Sequence, residues 1–325
     1  MDLSGFPEQA PKLAGKQLRY ADVAVTATAK EFSGFYRGKQ YHAPDFPNTL
    51  DRALSAGVDK VMLTGMSVSD ITTNLDIARS RPQRSCFVTI GVHPYHAAEP
   101  SAEGPRYFEK LRESIRDALT AEPCLLKAFG ELGLDYERLN HADKDTQIAT
   151  FKTQLDMFIE EQWDLPLFLH CRAACDDFID VISPYVGRLP RRGLVHSFVG
   201  TKAQMEKLVE LGFDVSVNGF SFQDRDSLDM VAAVPLERLQ IETDAPWGEI
   251  KATSEVAKRY LANAPPLPPS KKKDKWDTAS MVKERNECCA VSRVVYVVAG
   301  LKGISVEEVA DAAWRNSVTM FKLGE

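Results

Sequence analysis

The feature that most limits what this chain can fold into is its alternation of short apolar runs with stretches of helical spacing. The runs are LRYADVAV (18–25), VDKVML (58–63), SCFVTIGV (85–92), CLLKAFG (124–130), LPLFLH (165–170), RGLVH (192–196), FDVSVN (213–218) and RLQIET (238–243). They are rich in β-branched and large aliphatic residues, and a strand that is apolar on both faces belongs to a parallel sheet covered by helices. Between them, segments 49–55, 72–80, 107–119, 146–162, 176–186, 202–211 and 228–234 place apolar residues at intervals of three and four, as amphipathic helices do. Eight such units predict an α/β fold, a (β/α)8 TIM barrel, with a doubly wound open sheet as the alternative.

The length agrees with that count. A barrel takes about 250 residues plus insertions, and this chain has 325, 44% of them hydrophobic and 26% charged. One domain over 19–325 is expected, preceded by an exposed N-terminal arm (1–18) marked by Pro7 and Pro11. After the eighth run, APPLPP (264–269) and SKKKDK (270–275) predict an inserted Pro/Lys-rich exposed loop. Two further C-terminal helices follow, 287–299 and 306–322, the second with Ser305 and Glu308 spaced as a capping box.

Charge and cysteine content exclude several classes. With 40 Lys and Arg against 46 Asp and Glu, the net charge of −6 argues against a protein coated in positive charge, though not against a local basic cleft. There is no run of 18 apolar residues and no signal-peptide pattern, so no membrane partner is expected and the location is expected to be intracellular, cytoplasm or nucleus. The six cysteines lack paired CxxC spacing and read as buried thiols rather than a zinc site.

The residues that carry chemistry stand at the C-terminal ends of the predicted strands, where the loops of a barrel build its active site. His93 follows the third run, Glu131 and Asp135 the fourth, His170 and Arg172 the fifth, His196 the sixth, Asn218 the seventh and Asp244 the eighth. Glu131, His170, His196 and Asp244 form a mixed oxygen and nitrogen set that suits Mg²⁺, Mn²⁺ or Zn²⁺. Such ions acidify water near neutral pH, so hydrolysis is the expected reaction, and no organic cofactor is expected.

The segments Gly91-Val92-His93-Pro94, Gly130-Glu131-Leu132-Gly133-Leu134-Asp135, Leu169-His170-Cys171-Arg172, Val195-His196-Ser197-Phe198 and Ile241-Glu242-Thr243-Asp244-Ala245-Pro246-Trp247 resemble, in order, the motifs of the TatD family of metal-dependent deoxyribonucleases. Arg285-Asn286-Glu287 resembles the start of a further family motif, and Tyr36-Arg37-Gly38 resembles the eukaryotic branch. The resemblance implies a barrel hydrolase that cleaves DNA with a divalent metal, Mg²⁺ foremost, often as a 3′–5′ exonuclease. It implies that Glu131 is shared between two metal positions, that His170 and His196 ligate one ion and that Asp244 ligates the other. Asp244 would also take a proton from the attacking water, and His93 would orient water or substrate. Arg172, Asp135, Asn218, Trp247 and Arg285 would contact substrate, with Trp247 and Phe220 placed to stack on a base and the lysines of 271–275 on the DNA backbone.

Two positions depart from the family pattern. Where many relatives carry His-x-His at the end of the first strand, this chain has Ala24 and Thr26, which predicts a looser second position and an occupancy of one ion or two. Cys288 stands where Pro follows Arg-Asn-Glu in the family. The alternatives are a metal-dependent hydrolase of a small amide, lactone or phosphoester, and a non-catalytic metal-binding interaction protein. Oligomeric state is not readable from the sequence.

Overall fold

A computed structural model of the protein describes residues 2–324. Eight parallel strands form one sheet: β1 (Tyr20–Val25), then, beyond a small hairpin of β2 (Phe35–Tyr36) and β3 (Lys39–Gln40), β4 (Val58–Leu63), β5 (Cys86–Ile90), β6 (Leu126–Asp135), β7 (Leu167–Arg172), β8 (Gly193–His196), β9 (Asp214–Val217) and β10 (Leu239–Ile241), in the spatial order β1-β4-β5-β6-β7-β8-β9-β10. The ends meet through a parallel bridge between Val25 and Ala245, with Asp244 N–H donating to the Ala24 carbonyl and Thr26 N–H to the Ala245 carbonyl. This is the (β/α)8 barrel.

Helices α1 (Phe46–Ser55), α2 (Ile71–Arg79), α3 (Glu99–Glu103), α4 (Arg106–Thr120), α5 (Lys144–Glu161), α6 (Cys175–Val186), α7 (Lys202–Glu210) and α8 (Arg225–Ala233) surround it. Every predicted helix exists, shifted by a few residues at its ends. A short α9 (Glu255–Tyr260) and the pair β11 (Ser270–Lys271) and β12 (Met281–Val282) were not expected, because elements this brief carry no readable periodicity. The first C-terminal helix starts later than predicted: Cys288–Ala290 is a 3-10 turn, and α10 runs Val291–Lys302, followed by α11 (Val306–Phe321) with the expected Ser305–Glu308 capping box.

The period-two alternation of each strand sorts its side chains. One set, including Val23, Met62, Phe87, Ala128, Phe168 and Leu194, fills the barrel interior, and Phe321 at the end of α11 and Leu323 just beyond it plug the end away from the site. The other set packs outward on the helices. All six cysteines are free, five of them buried.

The N-terminal segment corrects one expectation in part. It is exposed along much of its length but anchored by buried Leu3, Pro11 and Leu18. The Leu3, Pro7 and Pro11 carbonyls accept from Arg259, Tyr260 and Asn263. Met1, with Glu325, lies outside the described residues.

Candidate metal centre

The interior alternation that places Phe168 in the core places His170, two residues on, at the top of the same face, and it does the same for Leu194 and His196. Strand β6 needs a different device. Gly130 pairs with Phe168 and Leu132 with Leu169, so two residues of β6 stand against one of β7, and this bulge turns Glu131 inward. Glycine is required beside it: a Cβ on Gly130 would lie 2.1 Å from the Phe168 carbonyl oxygen, and one on Gly133 1.9 Å from that of His170. Small residues therefore let β6 run to Asp135, five residues beyond the predicted end, and Glu131 and Asp135 sit within the strand rather than after it.

Glu131 is the hub. Its Oε1 lies 2.6 Å from His196 Nε2, 2.7 Å from His170 Nδ1 and 3.3 Å from His93 Nε2, and the His170 and His196 nitrogens are 3.3 Å apart. His93 caps the turn after β5, where its Nδ1 accepts from Tyr95 N–H, so its Nε2 faces Glu131. The donor atoms of His93, Glu131 and His170 lie within 4.8 Å of one another, as do those of His196, Glu242 and Asp244. Asp244 stands at φ 54°, a left-handed conformation unusual for a residue other than glycine, at the barrel seam.

The electrostatics suit a cation. Burial alone would raise the Glu131 carboxyl, but the charge of His196 and hydrogen bonds from His170 and His196 hold it well below the usual range. Burial would lower His196, yet Glu131 and Glu242 raise it, and Asp135 and Glu131 do the same for His170. Burial pushes His93 down to about 4, so it is neutral. Burial also pushes the Asp244 carboxyl up, with Glu242 and Glu131 adding repulsion. Asp244 is half-buried, and among the described residues its carboxylate receives no hydrogen bond, which leaves its oxygens open toward the mouth of the barrel. Four carboxylates (Glu131, Asp135, Glu242 and Asp244) share this region with three imidazoles, and that donor set fits a divalent cation.

The sequence expectations divide at this point. Glu131, His170, His196, Asp244 and His93 come together. Asp135, expected to touch substrate, is fully buried and receives His170 Nε2 at 3.0 Å and Glu137 N–H at 3.0 Å. Asn218 is also buried; its side-chain N–H groups donate to Glu242 and Ser197, and its oxygen accepts from Phe220 N–H. Arg285 is locked in ion pairs with Asp45 and Glu287. These three position other groups instead of facing the mouth. Arg172 remains partly exposed beside Glu137, and Trp247 is 41% exposed next to Gly248, on which Phe220 packs. At the first strand, Thr26 Oγ1 is engaged with Thr64 Oγ1 at 3.1 Å, and Ala24 offers no ligand.

Residues 22–322 match the family described as TatD related DNase. The chain belongs to that family. It is 38% identical over 308 residues to the deoxyribonuclease Tat-D of Schizosaccharomyces pombe, covering 94% of this chain and 96% of the relative. It is 31% identical over 305 residues to the 3′–5′ ssDNA/RNA exonuclease TatD of Erwinia amylovora, covering 93% and 99%. Among solved structures, an uncharacterized amidohydrolase of Saccharomyces cerevisiae superposes with a TM-score of 0.85 at 30% identity, covering 94% of this chain and all of that one.

Within this TatD-type site, Glu242 was not singled out from the sequence, although it lies in the quoted motif two residues before Asp244. Its Oε2 receives Ser216 Oγ at 2.6 Å, and its Oε1 receives Asn218 Nδ2 at 2.9 Å and faces His196 Nδ1 at 3.3 Å. With both oxygens engaged, Glu242 is held against the His196 ring and fixes its orientation. Glu242→Gln is expected to weaken divalent-metal affinity by about 10- to 100-fold. Calorimetric metal titration checks this; wild-type affinity in a folded variant would remove Glu242 from that role.

Proposed function

We propose that this chain is a divalent-metal-dependent deoxyribonuclease that trims single strands from the 3′ end. The observation that carries the reading is the convergence of Glu131, His170, His196 and the unpartnered Asp244 at the mouth of a TatD-type barrel. Glu131 would be shared between ion positions, His170 and His196 would hold one ion and Asp244 the other. The loss of donors at Ala24 and Thr26 supports one firmly held Mg²⁺ with a second, looser position, Mn²⁺ and Zn²⁺ being the other candidates.

A bound divalent cation supplies acidified water and positive charge opposite the phosphoryl oxygens. The protein's own groups do the rest. Asp135 and Glu242 fix the two ligand imidazoles by hydrogen bonds to their far nitrogens. Asp244, whose carboxyl burial holds at raised basicity, is suited to take the proton of the attacking water. His93, neutral and turned toward Glu131, offers an imidazole nitrogen to water or substrate without adding charge. Arg172 at the rim pairs with a phosphate oxygen, and Trp247 and Phe220 offer apolar rings to the terminal base. Cellular DNA as substrate would put the activity in the cytoplasm or the nucleus.

Chelation should abolish cleavage of end-labelled single-stranded DNA, and stepwise return of Mg²⁺, Mn²⁺ or Zn²⁺ should restore trimming from the 3′ end. Cleavage indifferent to the chelator, or none with any ion, would overturn the reading. A small ester or amide turned over under the same conditions would replace DNA as the substrate.

A further inference from the structure

The β2–β3 hairpin and the segment around β11 and β12 form a feature that the metal centre does not use. Residues 30–42 and 270–284 together carry eight Lys and Arg against four Asp and Glu, in a chain whose overall balance is negative. The hairpin turns through Arg37 (φ 51°) and Gly38 (φ 79°), two left-handed residues that make a type I′ turn and put Arg37 at its tip. Lys273 crosses from the opposite segment and lies over the rings of Tyr36 and Tyr41, at 4.9 and 4.5 Å from their centroids. His42, which closes the hairpin segment, stacks on Trp276 of the opposite segment with ring centroids 4.9 Å apart. Between hairpin and segment lies a cleft of about 440 Å³ whose cations are Arg37, Lys272, Lys273 and Lys283, and whose acids are Glu31, Asp274 and Glu284. Among the described residues none of those four cations is in an ion pair, whereas neighbouring Lys271 is held by Asp277.

This cleft is tied to the metal centre by short covalent and hydrogen-bonded steps. Asn286 donates its N–H to the Pro246 carbonyl and its side-chain amide to the Thr243 carbonyl, on either side of Asp244. Lys283 lies three residues before Asn286, a reach of about 10 Å at most. Arg285, between them, donates to the Glu31 carbonyl at the base of the hairpin. Hairpin and basic segment therefore stand on the same loops that carry Asp244, at the C-terminal rim of the barrel.

We propose that this cleft holds the phosphate backbone of the substrate strand beyond the nucleotides at the metal centre. The inference rests on the nuclease reading above. Unpaired cations interleaved with aromatic rings suit a single-stranded polynucleotide, whose phosphates need charge and whose bases tolerate any π face. Three acids on the same walls limit the hold to a weak, salt-sensitive grip with no base code, which lets a strand advance as its end is removed.

The test compares a dinucleotide, too short to reach the cleft, with a long single-stranded oligonucleotide, using the variant Arg37→Gln/Lys272→Gln/Lys283→Gln. All three residues are exposed, so the variant should melt with the wild type. Cleavage of the dinucleotide should persist, while kcat/KM on the long strand should fall about tenfold or more and the salt slope of binding should flatten by about 2, as expected for three lost phosphate contacts on a single strand. Binding of the labelled long strand to chelator-treated protein should weaken in parallel. Lys273→Gln, made separately because Lys273 packs on two tyrosines, should show the same length-dependent loss. Unchanged cleavage of the long strand, or equal loss on both substrates, would overturn this inference and leave the nuclease reading standing. Wild-type protein that cleaves neither substrate would remove both. Displacement of the oligonucleotide by polyglutamate at lower concentration than by unlabelled DNA would assign the cleft to an acidic protein partner instead.

Discussion

Glu131→Gln is expected to reduce metal-dependent DNA cleavage by at least about 10³-fold, which corresponds to about 4 kcal/mol of barrier. The size follows from what Glu131 touches. A single oxygen lies within 3.3 Å of nitrogens from three histidines on β7, on β8 and after β5, so the carboxylate is shared by all three imidazoles of the site. Glutamine keeps the volume but removes the charge, and its amide presents a donor to nitrogens that must offer lone pairs to a cation. Metal affinity should fall with activity, and the melting temperature of the metal-free protein should stay near that of the wild type, because the bulge and its glycines are untouched. More than about a tenth of wild-type cleavage in a nuclease-free preparation would show that the chemistry does not run through this centre, since loss of one electrostatic stabiliser already costs about 10²- to 10³-fold.

How far the sequence led can be judged on particular residues. The eight strands were readable because a buried parallel strand is apolar on both faces, and a barrel brings strand ends together whatever their separation along the chain. Glu131, His170, His196 and Asp244 could be grouped on that ground. Asp135 and Asn218 read as substrate contacts because a polar residue after a strand looks the same whether it faces solvent or another side chain, and Arg285 reads so from its motif. What distinguishes them is a partner far along the chain: His170 lies 35 residues from Asp135, and Asp45 lies 240 from Arg285. Glu242 escaped notice for the same reason, its role being visible only once His196, Ser216 and Asn218 surround it. The hairpin at 35–40 was hidden because two-residue strands have no period, although Arg37-Gly38 is a turn signal.

The burial of Arg285 leads to the second large effect. Arg285→Met is expected to destabilise the fold by about 3–5 kcal/mol, the cost of leaving buried charge uncompensated. With an unfolding entropy of about 2.1 cal/mol/K per residue, that is a fall in melting temperature of about 4–7 °C for a chain of this size. Arg285 Nη1 donates to Asp45 Oδ1 at 2.7 Å, and Nη2 to Asp45 Oδ2 at 2.5 Å and to Glu287 Oε1 at 2.8 Å. Arg52 completes the set with two bonds to Glu287, at 2.8 and 3.1 Å. Two guanidinium groups thus balance two carboxylates with almost no solvent contact, and they join Asp45 at the start of α1 to the segment that precedes α10. Burial would lower the Arg285 pKa, but Asp45 and Glu287 hold it above the ordinary value, so it stays charged. Methionine fills the space and leaves Asp45 and Glu287 sharing the one cation of Arg52. Arg285→Lys, which keeps the charge but not the fork, should lose part of this stability. Because Asn286 beside it braces the Thr243 and Pro246 carbonyls around Asp244, activity at a temperature where the variant is folded should fall in kcat more than it rises in KM. An unchanged melting temperature with a raised KM for DNA would return Arg285 to the substrate-contact role that its motif first suggested.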